Sequence, residues 1–155
     1  MSGVRYLFRL SGTVILFALA VALMTHATPS SDQTVEELKA RVASAKAGDR
    51  PHLCLQIAEK QLGEADKFYA ANDLEKGQAA LTDVVAFSEL ARDYSIQSHK
   101  YQKQAEIATR SMTRKLNDLL HTLGHDDQVP VRDAISRLQR VRDDLLAAMF
   151  PKGAK

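Results

Sequence analysis

The amino-acid sequence predicts an all-α protein: an elongated antiparallel helical hairpin or bundle built on one long helix, about 74–123, behind an N-terminal signal helix. Two observations predict the class. Of 155 residues only seven are Gly and four Pro, and neither occurs between Gln78 and Leu123. Through that interval small and apolar residues recur at alternating steps of four and three: Ala80, Val84, Phe87, Ala91, Tyr94, Ser98, Tyr101, Ala105, Ala108 and Met112. Such a run is a heptad repeat.

Composition sets the bounds. At 45% hydrophobic and 26% charged the chain is ordinary and globular, and its length suits one domain. The 21 Lys and Arg against 19 Asp and Glu leave a charge of +2, which argues against a nucleic-acid binder. The lone Cys54 excludes an internal disulfide, a CxxC redox pair and a multi-cysteine cluster.

Residues 1–27 read as a signal peptide. Arg5 and Arg9 precede an apolar stretch from Leu10 to Met24, and Thr25-His26-Ala27 offers a small-x-small cleavage site. The apolar core is shorter than the roughly 20 residues of a permanent span, although an uncleaved anchor from Tyr6 to Met24 is the competing reading. With Arg5 and Arg9 set aside, basic and acidic residues balance.

A linker, 28–33, leads to a helical domain, 34–150, and a tail, 151–155. Thr34 and Glu37 have capping-box spacing, and Val35, Leu38, Val42 and Ala45 follow at helical intervals until Gly48 closes a short first helix. Asp49 and Pro51 start a second helix, whose apolar side is Leu53, Cys54, Ile57, Ala58, Ala65, Phe68 and Tyr69. Asn72-Asp73 turns the chain into the long helix, which spans about 70 Å at 1.5 Å per residue. After Met112 its stripe continues through Leu116, Leu119 and Leu123, a stutter that relaxes the supercoil. Gly124 to Gln128 is the next turn. Val131, Ala134, Leu138, Val141, Leu145 and Ala148 then mark a last helix that ends at Pro151. Matching lengths lays the second and last helices along the two halves of the long one, three helices at one end and two at the other.

Phe68, Asn72, Asp73, Leu74, Gly77, Leu81 and Val84 resemble the middle of a tetratricopeptide repeat. The likeness covers one helix–turn–helix, without the family's tryptophan or a second copy. It implies a helical hairpin at Asn72-Asp73 and supplies no peptide-binding groove, since about three stacked repeats are needed to build one.

Candidate chemistry is sparse. His121 and His125, four apart with Asp126 beside them, have the spacing of a metal pair, yet Gly124 falls between them and ends the helix. The competing reading is a histidine-rich helix C-terminus. Cys54 is either a small core residue or an intermolecular disulfide partner; His52 stands on another face of the helix. Lys100, Lys103, Arg110 and Arg114 share an arc of about 80°, a solvated face or a contact for anionic headgroups or acidic polymer. No nucleophile–base pair, haem motif or phosphate loop is present in the sequence, so no cofactor is expected.

The reading these features support is an exported, non-catalytic interaction or structural protein, such as an adaptor, an assembly factor or a self-associating envelope component. Its location is periplasmic or extracellular, or the inner membrane if the N-terminus is retained. The expected contact is with a protein partner or a second copy, along a seam of Tyr94, Ser98, Tyr101, Ala105, Ala108 and Met112. The alternative is a metal- or ligand-binding bundle using His121, His125 and Asp126.

Overall fold

The computed structural model describes residues 33–151; the predicted signal peptide and cleavage site, most of the linker and the end of the tail lie outside the described residues. Five α-helices carry the described chain, α1 (Val35–Ser44), α2 (Arg50–Ala70), α3 (Leu74–Ser98), α4 (Gln102–Leu120) and α5 (Gln128–Met149), with one short 3-10 turn at His125–Asp127. The all-α class is as expected.

Local chemistry accounts for the helix ends. Thr34 Oγ1 accepts the Glu37 amide at 3.2 Å, and Glu37 Oε2 accepts the Thr34 amide at 3.0 Å, closing the capping box. Pro51 sits in the first turn of α2, while Asp49 makes no side-chain cap bond. At the α2–α3 turn the Asp73 amide donates to Phe68 O and the Asn72 amide to Tyr69 O, a Schellman closure with Asn72 at φ 58°. The predicted hairpin is therefore present.

The predicted single long helix is not. The chain leaves the helix after Ser98, reverses, and re-enters at Gln102, with His99 and Tyr101 both left-handed at φ 54° and 62°. Ser98 favours the break: its hydroxyl donates to Tyr94 O at 2.6 Å and accepts the Lys100 amide, offering the backbone an alternative to the helical ladder. The uninterrupted heptad phase misled because both halves face the same core, and a turn can preserve phase as well as a helix can.

The reversal changes the architecture. Ala91 and Ala105 share a cluster with Cys54, Val141 and Leu145. At the other end, Leu62, Tyr69, Ala80 and Leu81 share one with Met112, Leu116, Leu119 and Val131. α2, α3, α4 and α5 thus run alternately up and down as a four-helix bundle, in place of the expected three-and-two hairpin. α2 packs along α3, α4 along α5, and α3 beside α5; α2 and α4 approach less closely. α1 lies on α2, with Leu38 packed on Leu53 and Ile57, and Lys39 Nζ is 2.9 Å from Asp83 Oδ2 of α3.

Ion pairs set the register of α5. Arg137 grips Glu89 of α3 through bonds of 2.9 to 3.1 Å, and Arg92 of α3 reaches Asp144 at 2.9 Å. Arg142 donates to the largely buried Glu106 of α4 at 2.8 Å, and Arg110 stands 3.8 Å from the same carboxylate.

Candidate interaction face

The predicted seam does not form one open face. Ala105 and Met112 are 1% and 2% exposed inside the bundle's own core, while Tyr94, Ser98, Tyr101 and Ala108 are half-buried. The physical reason is the reversal at 99–101, which turns the stripe of α4 towards α2 and α5. Tyr94 lies under the Arg50 guanidinium, 5.5 Å from ring centre, and Tyr101 stacks on His52 at 5.7 Å. Both aromatics are committed to the start of α2.

The three residues of the metal reading lie exposed at the end of α4 and in the turn that follows it. His121 caps the end of α4, exposed, and His125 lies beyond the extended Gly124 in the 3-10 turn. His125 Nδ1 is 3.6 Å from Asp126 Oδ1, with both side chains almost wholly in solvent. Among the described residues no three His, Cys, Asp or Glu side chains come together to hold an ion. Gly124 ends the helix before the second histidine can join the face of the first.

Cys54 is fully buried and free. Burial pushes its thiol up to about 11, against the smaller opposing pull of the Arg50 charge. A protonated thiol sealed in the core is no nucleophile, and it does not reach a second chain.

The outer side of α4 is different. Lys103, Ile107, Arg110 and Arg114 follow at steps of four, three and four, which is one helical face, and all four are exposed. Ile107 is 45% exposed and, unlike the exposed Leu90, Val129 and Phe150, stands between cations on one helical face. Lys103 and Arg114 make no ion pair among the described residues, whereas Glu106, the only nearby acid of the first two turns, faces inward to Arg142. Lys100 leaves the predicted arc: it sits in the turn with its side chain against Gly48. Ile107 was legible in the sequence as an apolar residue off the heptad line, but its significance depends on which face of α4 is outermost.

Two hollows flank these elements. One, of about 360 Å³, lies between the α1–α2 turn and the α3–α4 turn, bounded by Arg41, Asp49, His52 and Tyr101. The other, of about 380 Å³, follows the looser α2–α4 contact over Leu62, Gly63 and Leu119, with Glu59, Asp66 and Lys115 at its rim. Ser44 and His52 both line the first, but the Ser44 hydroxyl donates to Ala40 O and Arg41 O of its own helix rather than to the imidazole. No helix among the described residues is long and apolar enough to cross a membrane.

In comparisons with family models, curated proteins and solved structures, nothing matches this chain.

Proposed function

We propose that the protein is an exported, non-catalytic helical interaction protein that meets an acidic partner through the outer face of α4. One observation carries the reading: Ile107, 45% exposed, stands in line with Lys103, Arg110 and Arg114, an apolar residue within a cationic stripe. Partner surfaces commonly combine a desolvated apolar centre with a charged rim that steers encounter. The n-region arginines, the apolar core and the small-residue site at 25–27 support export.

A photo-crosslinking residue in place of Ile107, in cells exporting the protein, tests this. A discrete adduct is expected that disappears in the Arg110→Glu/Arg114→Glu variant and is absent when the crosslinker replaces Gln139 on α5. An adduct indifferent to charge reversal, or none, overturns the reading of this face. N-terminal sequencing of the exported chain is expected to start at Thr28; a chain that keeps Met1 is a tethered protein instead.

A further inference from the structure

The buried residues of α3 and α4 are in one phase across the turn that separates them. Ser88, Ala91 and Ser95 in α3 and Ala105, Thr109, Met112, Leu116 and Leu119 in α4 are all buried. Ser98 and Gln102, both half-buried, fill the interval between them at the same alternation of three and four. An unbroken helix from Leu74 to Leu120 would therefore present the same side chains on the same face. A chain that reverses over three residues needs no such agreement.

The turn also carries strain. His99 and Tyr101 hold the left-handed region, where a Cβ crowds the backbone, and neither is Gly. Ser95 Oγ, one helical turn ahead, is buried with no hydrogen-bond partner. The sequence 98–102 contains no Gly or Pro to oppose a helix. Few contacts hold the turn closed: the bonds of the Ser98 hydroxyl, the Tyr101–His52 stack and Lys100 against Gly48.

The topology permits exchange. α3 and α4 touch each other far less than each touches its own hairpin neighbour, so α1–α3 and α4–α5 are two sub-assemblies joined at residues 99–101. Every contact between them, Glu89–Arg137 and Arg92–Asp144 included, can be remade with the same residues of another copy.

We propose that the protein exchanges its α4–α5 hairpin with a second copy. Residues 99–101 become helical, α3 and α4 join into one helix, and each α4–α5 hairpin docks on the α1–α3 assembly of the other chain. The partner is the chain itself, and the inference stands apart from the reading of the outer α4 face.

The test is refolding of the whole exported protein from denaturant at low and high concentration, followed by light scattering on the separated species. A dimer fraction that grows with concentration and survives dilution is expected. His99→Ala/Tyr101→Ala favours the helical turn and raises that fraction several-fold; His99→Gly/Tyr101→Gly relieves the left-handed turn, weakens the joined helix and lowers it tenfold or more. Spin labels at Gln78 and Asp118 in a Cys54→Ala background, diluted with unlabelled chain, read the distance within one copy. The joined helix places them about 60 Å apart, against a bundle's width in the closed form. A dimer with the short distance overturns the exchange, as does the absence of dimer from both wild type and the Ala variant. Should the Ala variant not fold, wild type decides.

Discussion

Tyr69 occupies the space in front of Gly77: a Cβ at position 77 would lie 2.9 Å from Tyr69 Cε2 and 3.0 Å from Cδ2. The ring is buried, so it has nowhere to retreat. Gly77→Ala is expected to destabilise the protein by about 1–3 kcal/mol through overpacking of the α2–α3 hairpin. Gly63, inside α2, has nothing within 4 Å of the same added atom. Gly63→Ala should therefore stabilise by about 0.5–1 kcal/mol, the helix-propensity gain. Urea unfolding of the two variants checks the opposite signs.

Arg142 and Glu106 form the most buried ion pair between described helices, with the Glu106 side chain only 10% exposed. Arg142→Ala leaves that carboxylate with Arg110 at 3.8 Å and is expected to cost about 2 kcal/mol. Replacing both partners, Glu106→Met with Arg142→Met, should cost less than the single change. A double-mutant cycle by thermal unfolding reads the difference.

Cys54 links stability to alkaline pH. Its folded thiol titrates near 11, above the 9.0 of an exposed thiol, so the folded state holds a proton that the unfolded chain releases first. The stability this contributes is complete below pH 9 and is lost as pH rises through 11, by about 2–3 kcal/mol. Comparing wild type with Cys54→Ala between pH 8 and 11 checks it: the difference in unfolding free energy should shift against wild type over that window.

The two sides of α4 should respond differently to truncation. Met112 fills the core, and Met112→Ala is expected to cost about 2–4 kcal/mol. Ile107→Ala should change stability by no more than about 0.5 kcal/mol, while abolishing a crosslink made from a photo-reactive residue at the exposed Ser111, one turn on along the same face. Denaturant titration alongside the crosslinking assay separates the two effects.

Much of the fold was legible because its signals are local. The Thr34–Glu37 box, Pro51 at the head of α2 and the Asn72-Asp73 turn each involve residues a few positions apart, and each appears where the spacing put it. The reversal at 99–101 was not legible, since its left-handed residues are a His and a Tyr and phase runs straight through it. At alternate positions the buried line also lies one residue over from the one read in the sequence, while Val84, Ala91, Ala105 and Met112 stay on it. Ser88, Ser95 and Thr109 face the core, while Phe87, Tyr94 and Ala108 are half-buried. Hydrophobicity favoured the aromatics, but where helices crowd at the bundle centre the small hydroxyl residues fit, and Phe87 and Tyr94 serve the periphery beside Lys39 and Arg50. Glu106 stands four residues before Arg110, a spacing visible in the sequence; its closer partner, Arg142, requires knowing that α4 and α5 are paired.

The arrangement of hairpins also sets an order of events in time. Contacts within α2–α3 and within α4–α5 join segments separated by short turns, so they form early and fast. The α3–α5 contact closes a much longer span of chain and comes late. Glu89–Arg137 and Arg92–Asp144, which fasten that contact, are then largely unmade at the folding barrier. Removing them should quicken unfolding while leaving the folding rate nearly untouched. The lifetime of the folded bundle, and with it its resistance to proteolysis, is therefore tuned at the α3–α5 seam, where these two ion pairs sit, as well as in the core.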